Sequence, residues 1–225
     1  ALVGILTAID SIKYSINDNF TSMGANTFNI RNKGMKLRAG KRGAKPKSFP
    51  SIKYADAVKF KERFNSSANT SVSTFASSVA IIKYESKKTD PNISITGTDE
   101  NYLITSGYKI AEGRNFSIDE INYGRHVIII GEEVKNIVFG LNNAIGEAIT
   151  VGSNKYKVIG ILEKKGSSMG FGGDKNCLIP IINSRQYFSY PNQSYTISCL
   201  ADGPEELDSK IGEAISEMRA VRGLK

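Results

Sequence analysis

The order of segments along this chain predicts an α+β protein. Three observations carry that expectation. The first hundred residues alternate strand-like and helix-like patterns as β-α-β. The middle stretch turns to short apolar strands punctuated by glycines, and the last thirty residues give one more strand and one well-signalled helix. A βαβ/βα sandwich split in sequence around an inserted β-rich module fits all three.

Ala1 to Phe20 reads as one helix with two environments. Up to Ile9 it is apolar almost all round. From Asp10 it becomes amphipathic, with Leu2, Ile5, Ile9, Ile12, Ile16 and Phe20 three or four residues apart on one face. Asn26 to Arg31 then reads as a strand with Phe28 and Ile30 on one side. A helix is expected to start near Ser51, a plausible N-cap after Pro50, carrying Tyr54, Ala57, Val58 and Phe64 along its stripe. Strands are expected at Ser71–Phe75, Val79–Tyr84 and Asn92–Thr98, with a turn over Lys87–Pro91.

In the middle, strands are expected at Val127–Ile130, Ala148–Val151, Lys155–Leu162 and Asn176–Ile181, with a short helix over Glu132–Phe139. Val127-Ile128-Ile129-Ile130 is apolar throughout, which predicts a strand covered on both faces. Ser153 and Asn154 suggest a tight hairpin turn. Ser194–Leu200 reads as the next strand. The closing helix, Pro204 to Arg222, has Asp202 as N-cap candidate, acidic residues in its first turn, Arg219 and Arg222 in its last, and Gly223 as a stop. Leu207, Ile211, Ala214, Met218 and Val221 form its expected buried stripe.

Composition bounds the function. The chain has 225 residues, 40% of them hydrophobic, and a mean hydropathy of -0.24, ordinary for a globular protein with a real core. No apolar run reaches the roughly 18 residues of a membrane span. The chain opens without Met on ALVGILTAI, about half a span, with no signal-peptide pattern. Both ends read as cut from a longer protein. The net charge of +8 is local: Arg31 to Lys47 holds eight basic residues, among them Lys36, Arg38, Lys41 and Arg42, and no acidic ones. The rest of the chain balances at 22 basic and 22 acidic residues. That loop is either a solvated Gly/Lys-rich surface or a contact for an acidic partner or lipid headgroups. It lacks interleaved aromatics, which argues against nucleic acid.

Candidate chemistry is sparse. His126 is the sole histidine and has no Cys, Asp or second His at ligand spacing. No GxSxG elbow is present. Gly166 to Asp174 is glycine-rich but lacks GxxxxGK[ST] and connects two strands, unlike a phosphate cradle. Met169 and Phe171 in that loop suit contact with a partner protein, or simply decorate an inter-strand loop. Glu112-Gly113-Arg114 suggests an ion pair or a turn needing positive φ. Asp119-Glu120 and Glu132-Glu133 read as solvated or capping groups. Cys177 and Cys199 sit in apolar strand-like runs, as buried thiols or a disulfide. No catalytic, cofactor or metal site emerges.

The stretch Gly97 to Pro180 carries a family resemblance. Gly97-Thr98-Asp99-Glu100-Asn101-Tyr102, then Glu112-Gly113-Arg114-Asn115-Phe116, then Ile145-Gly146-Glu147 leading into Tyr156-Lys157-Val158-Ile159-Gly160-Ile161-Leu162 resemble the extracytoplasmic core domain of MacB-type ABC-transporter permeases. The resemblance implies residues 1–22 as a membrane-exit stalk helix, 23–100 with 190–225 as a discontinuous Porter-like lobe, and 101–189 as an inserted Sabre-like lobe. It also implies a periplasmic, non-enzymatic domain of a bacterial inner-membrane permease, with flanking membrane spans, a second permease copy and a separate cytoplasmic ATPase domain. A periplasmic adaptor and an outer-membrane channel would complete the export path. Leu2, Ile5, Ile9, Ile12 and Ile16 would form the stalk that transmits motion, and Met218 to Lys225 would lead to the next span. A lipoprotein-releasing permease is the alternative within this class; a secreted hydrolase or a free-standing basic binding module lies outside it.

Overall fold

In the computed structural model, residues 26–32, 50–64, 69–164 and 173–223 are described. The sequence-predicted helix over Ala1–Phe20, the basic residues Lys36, Arg38, Lys41 and Arg42, and Met169 and Phe171 lie outside them. The strands are β1 (Thr27–Ile30), β2 (Asn69–Ala80), β3 (Ile82–Tyr84), β4 (Lys87–Lys88), β5 (Ile93–Thr98), β6 (Ile110–Gly113), β7 (Val127–Ile130), β8 (Ala148–Val151), β9 (Asn154–Leu162), β10 (Asn176–Pro180) and β11 (Thr196–Leu200). The helices are α1 (Tyr54–Arg63), α2 (Tyr102–Thr105), α3 (Ile118–Asn122), α4 (Glu132–Val138), α5 (Ile181–Tyr187) and α6 (Leu207–Val221).

All the strands join one mixed sheet, in the order β1-β11-β2-β5-β10-β7-β9-β8-β3-β4, with β6 added on β9. At one end, β11 lies antiparallel between β1 and β2, so β1, α1 and β2 make a split βαβ unit. The parallel pairing of β5 with β10 carries the sheet into the middle of the chain. Only Ile81 separates β2 from β3, yet β2 pairs with β5 while β3 pairs with β8. The sheet therefore curls back on itself.

Two cores follow from that curl. On one face, α1 and α6 cover the sheet with Ala57, Phe60, Ala214, Met218 and Val221 against Val72, Ile197 and Cys199. Inside the curl, Ile82, Ile95, Ile149, Tyr156 and Val158 enclose Val134, Val138 and Phe139 from α4 and the residue after it. β7 shows how one strand serves both: Val127 and Ile129 point to the first core, Ile128 and Ile130 to the second. Each fully buried Ile or Phe contributes about 1.5–3 kcal/mol of transfer free energy. The two-faced burial expected from the VIII run is what the strand shows.

Several local expectations need correction. The first helix begins at Tyr54, not Ser51, because the Ile52 backbone is already engaged: its N–H donates to Ser194 Oγ at 3.1 Å and its carbonyl accepts from Tyr195 N at 3.0 Å. Its buried side chains are Ala57 and Phe60, while Val58 is half-buried. The strand expected at Ser71–Phe75 and the start of the one expected at Val79–Tyr84 are one long β2, whose register shifts twice between Phe75 and Ala80, while Ile82–Tyr84 is the separate β3. The Lys87–Pro91 turn is instead a Glu85-Ser86 hairpin, with Lys87 and Lys88 paired to β3 and Glu85 at φ 51. Likewise the hairpin residues are Gly152 and Ser153, since Val151 pairs with Asn154. The strand over Asn176 stops at Pro180, and Ile181 opens a helix that the sequence did not announce. The last helix enters through a 3-10 turn, Pro204–Glu206, capped at Gly203 instead of Asp202. Leu207 and Ile211 are only half-buried, and Gly223 ends the helix as expected.

Candidate functional site

The residues with chemical potential are dispersed. His126 Nε2 lies 2.9 Å from Tyr187 Oη, and its ring packs at 5.3 Å on both Tyr156 and Tyr187. Among the described residues no group of three His, Cys, Asp or Glu side chains is placed to hold a metal ion. Cys177 and Cys199 are free and buried, one in each core, and burial pushes both thiols up to about 12. Both are structural hydrophobes.

The second and third sequence motifs converge on β9. Gly113 adopts φ 83, which brings Arg114 N onto the Ile159 carbonyl at 2.9 Å. Gly146 adopts φ 92 and donates its N–H to the Val158 carbonyl at 2.8 Å, and Val158 N returns a bond to the Glu147 carbonyl. The second motif also reaches the first: Asn115 Nδ2 donates to the Glu100 carbonyl at 2.8 Å. Arg114 does form an ion pair, though not with adjacent Glu112. Its fork meets both oxygens of Glu120 at 2.7 Å. Glu120 closes a capping box with Ser117 at the start of α3, and these hydrogen bonds hold its carboxyl down at about 2.

In the first motif, Asp99 Oδ2 accepts from Val72 N and from Lys61 Nζ, each at 2.7 Å, while Glu100 takes a second Lys61 bond at 2.7 Å. Burial pushes Asp99 up to about 6 against the pull of Lys61. Burial also opposes the Lys61 charge, but the two carboxylates outweigh it and its pKa is raised. This junction ties α1 to the β5–α2 turn. The motifs are thus a scaffold, which their spacing in sequence did not disclose.

A groove of about 420 Å³ lies at the other end of the sheet, between β1 and α6. Phe28 and Ile30 form one wall; Ile211, Ile215 and Met218 form the other. Arg31, Arg219 and Arg222 line it too. Ile215, on the flank of the buried stripe of α6, is half exposed. Sequence reading found Phe28 and Ile30 as one strand face but missed Ile215, because only the strand beside it makes that position part of a wall. The predicted stalk residues Leu2, Ile5, Ile9, Ile12 and Ile16, and the predicted partner contacts Met169, Phe171, Lys36, Arg38, Lys41 and Arg42, all lie outside the described residues. Among the described residues no helix is long and apolar enough to cross a membrane.

Comparison with known proteins agrees with the motifs. The chain is 25% identical over 230 residues to the macrolide export ATP-binding/permease protein MacB of Chlorobium luteolum, covering 98% of this chain and 34% of that protein. It is 33% identical over 88 residues to the Chromobacterium violaceum protein of the same name, covering 39% of this chain and 13% of that one. The chain therefore spans about a third or less of the length of these curated relatives. Its fold is similar to the periplasmic region of MacB from Actinobacillus actinomycetemcomitans, with TM-score 0.69 at 20% identity over 92% of this chain and 89% of that one. It is also similar to the extracellular domain of the noncanonic ABC-type transporter YknZ from Gram-positive bacteria, with TM-score 0.62 at 19% identity over 78% and 86%. The family model for the MacB-like periplasmic core domain matches residues 1–213, nearly the whole chain, and the chain belongs to that family.

Proposed function

We propose that this chain is the extracytoplasmic part of an ABC-transporter permease, passing motion from an ATP-driven cytoplasmic domain to export of a substrate. On this reading it sits in the periplasm at a bacterial inner membrane, in a permease dimer, and hands its substrate to an adaptor and an outer-membrane channel. It carries no reaction of its own. The lobe formed by 23–100 with 190–225 lies nearer the membrane, and 101–189 lies beyond it. Met169, Phe171 and the basic residues Lys36, Arg38, Lys41 and Arg42 are the candidate partner contacts.

One observation supports the reading most. The first and last described elements, β1 and α6, lie side by side with an apolar groove between them. The first and last described elements therefore pack against each other, and a displacement of the helix would be felt by the sheet. A packed element with a continuous apolar seam can move as a rigid body without unfolding. The test is Ile9→Asp with Ile12→Asp in the full permease. Export should fall while ATP hydrolysis persists. Normal export by that variant removes the stalk role.

A further inference from the structure

Antiparallel pairing lines up one row of side chains across the curled part of the sheet. Lys88 lies opposite Lys83, Lys83 opposite Thr150, and Thr150 opposite Lys155. Residues directly opposite one another point to the same face, so the row crosses β4, β3, β8 and β9 on one side. Lys157, two residues further along β9, shares that face. The rungs between face the other way: Ile82, Ile149, Val151 and Tyr156 are buried in the second core. Lys83, Lys88, Lys155 and Lys157 are therefore turned outward, and all of them are exposed.

Their charge is not balanced locally. Among the described residues none of these lysines takes part in an ion pair. Glu85 and Asp90 stand outside the paired rungs, and Glu147 accepts from Tyr84 Oη at 3.1 Å. Like charges directly opposite each other weaken a sheet, and Lys83 against Lys88 is such a pair. With strands about 4.8 Å apart, the lysines follow one another at about 5 to 10 Å, comparable with the Debye length of about 8 Å, so their fields add.

We propose that this row is a docking face for an acidic segment of a partner protein, whose carboxylates take the four ammonium groups. The charge selects the sign of the occupant, and the surroundings select its class. No large apolar side chain is exposed on β3, β4, β8 or β9, so the face has nothing to anchor in a bilayer. Tyr156 is buried and Tyr84 packs on Phe139 at 4.2 Å, which leaves no ring on which a base could stack. An acidic polypeptide needs neither anchor nor ring, only a stiff array of cations, and its binding relieves the repulsion within the row.

This inference does not rest on the transport reading, and the purified 225-residue protein tests it. Oligoglutamate is the probe, followed residue by residue through amide NMR shifts at low salt. Shifts should gather on Lys83, Lys88, Thr150, Lys155 and Lys157 and fade as salt is raised. Lys83→Gln, Lys88→Gln, Lys155→Gln and Lys157→Gln together should weaken the affinity read at the Thr150 amide about tenfold or more, and Arg at the same four positions should keep it. Gln at Lys53, Lys59, Lys109 and Lys164, exposed lysines outside the row, makes the same change in net charge and should leave that affinity within about threefold. Row amides that stay still under oligoglutamate would overturn the proposal, as would equal weakening by the two Gln variants. Phosphatidylserine vesicles form the second arm. Row-dependent sedimentation with them, without oligoglutamate shifts on the row, would make the occupant a lipid surface and also overturn it.

Discussion

Lys61 donates to Asp99 at 2.7 Å from α1, and Asp99 in turn accepts the Val72 backbone N–H. The contact fastens the helix layer to the edge of β5. The Asp99 side chain is only 6% exposed, so it tolerates charge because that cation is present.

Lys61→Met should therefore cost about 2–3 kcal/mol near neutral pH, with part recovered when Asp99→Asn is added. The sign of the pH dependence follows from burial. Asp99 has a folded pKa of about 6, above its unfolded value, so protonation favours the fold. The penalty of Lys61→Met should shrink as pH falls toward about 6, because without Lys61 the Asp99 carboxyl takes up its proton at a higher pH than in the wild type. Urea unfolding of wild type and variant on either side of that pH checks it; an unchanged difference would count against the assignment.

The two positive-φ glycines of the motifs should respond differently to alanine. A Cβ at Gly113 would collide with the Ile159 carbonyl oxygen, whereas a Cβ at Gly146 meets nothing within 4 Å. Gly146→Ala should cost only the left-handed strain, about 1–2 kcal/mol. Gly113→Ala adds displacement of β9 and should cost clearly more, seen as a lower denaturation midpoint.

Arg114→Ala should raise the Glu120 pKa from about 2 toward the ordinary carboxylate range, readable by carboxyl NMR titration. Because the folded value is depressed, the stabilising contribution is present above the ordinary pKa and fades as pH falls toward about 2. The variant should lose that acid-side dependence. An unmoved Glu120 midpoint would show that the capping box, not the guanidinium, sets it.

Cys177 and Cys199 should resist alkylation in the native protein at mildly alkaline pH and react only on unfolding, since burial leaves little thiolate. Mass spectrometry with and without denaturant reads this directly.

Where local chemistry decides structure, the chain was readable. The VIII run, the Gly223 stop and the apolar stripe through Ala214 and Met218 fell as expected. The misses share a cause in tertiary contact. Ser51 looked like a cap until Ile52 proved to be held by Ser194 and Tyr195. Ile181 continued an apolar run, and only the packing beyond Pro180 turns it into a helix. No local pattern announces that β10 runs parallel beside β5. The candidate site shows the same split. Motif spacing identified the family, but the meeting of Gly113, Gly146 and their neighbours on β9 is a property of the folded chain.

The passage from β2 into β3 has a thermodynamic consequence. Its first half lines one interior and its last residues another, with Ala80 and Ile82 in the second. Excising either half would strip a wall from both, so heat should melt the whole as a single calorimetric transition with no surviving fragment.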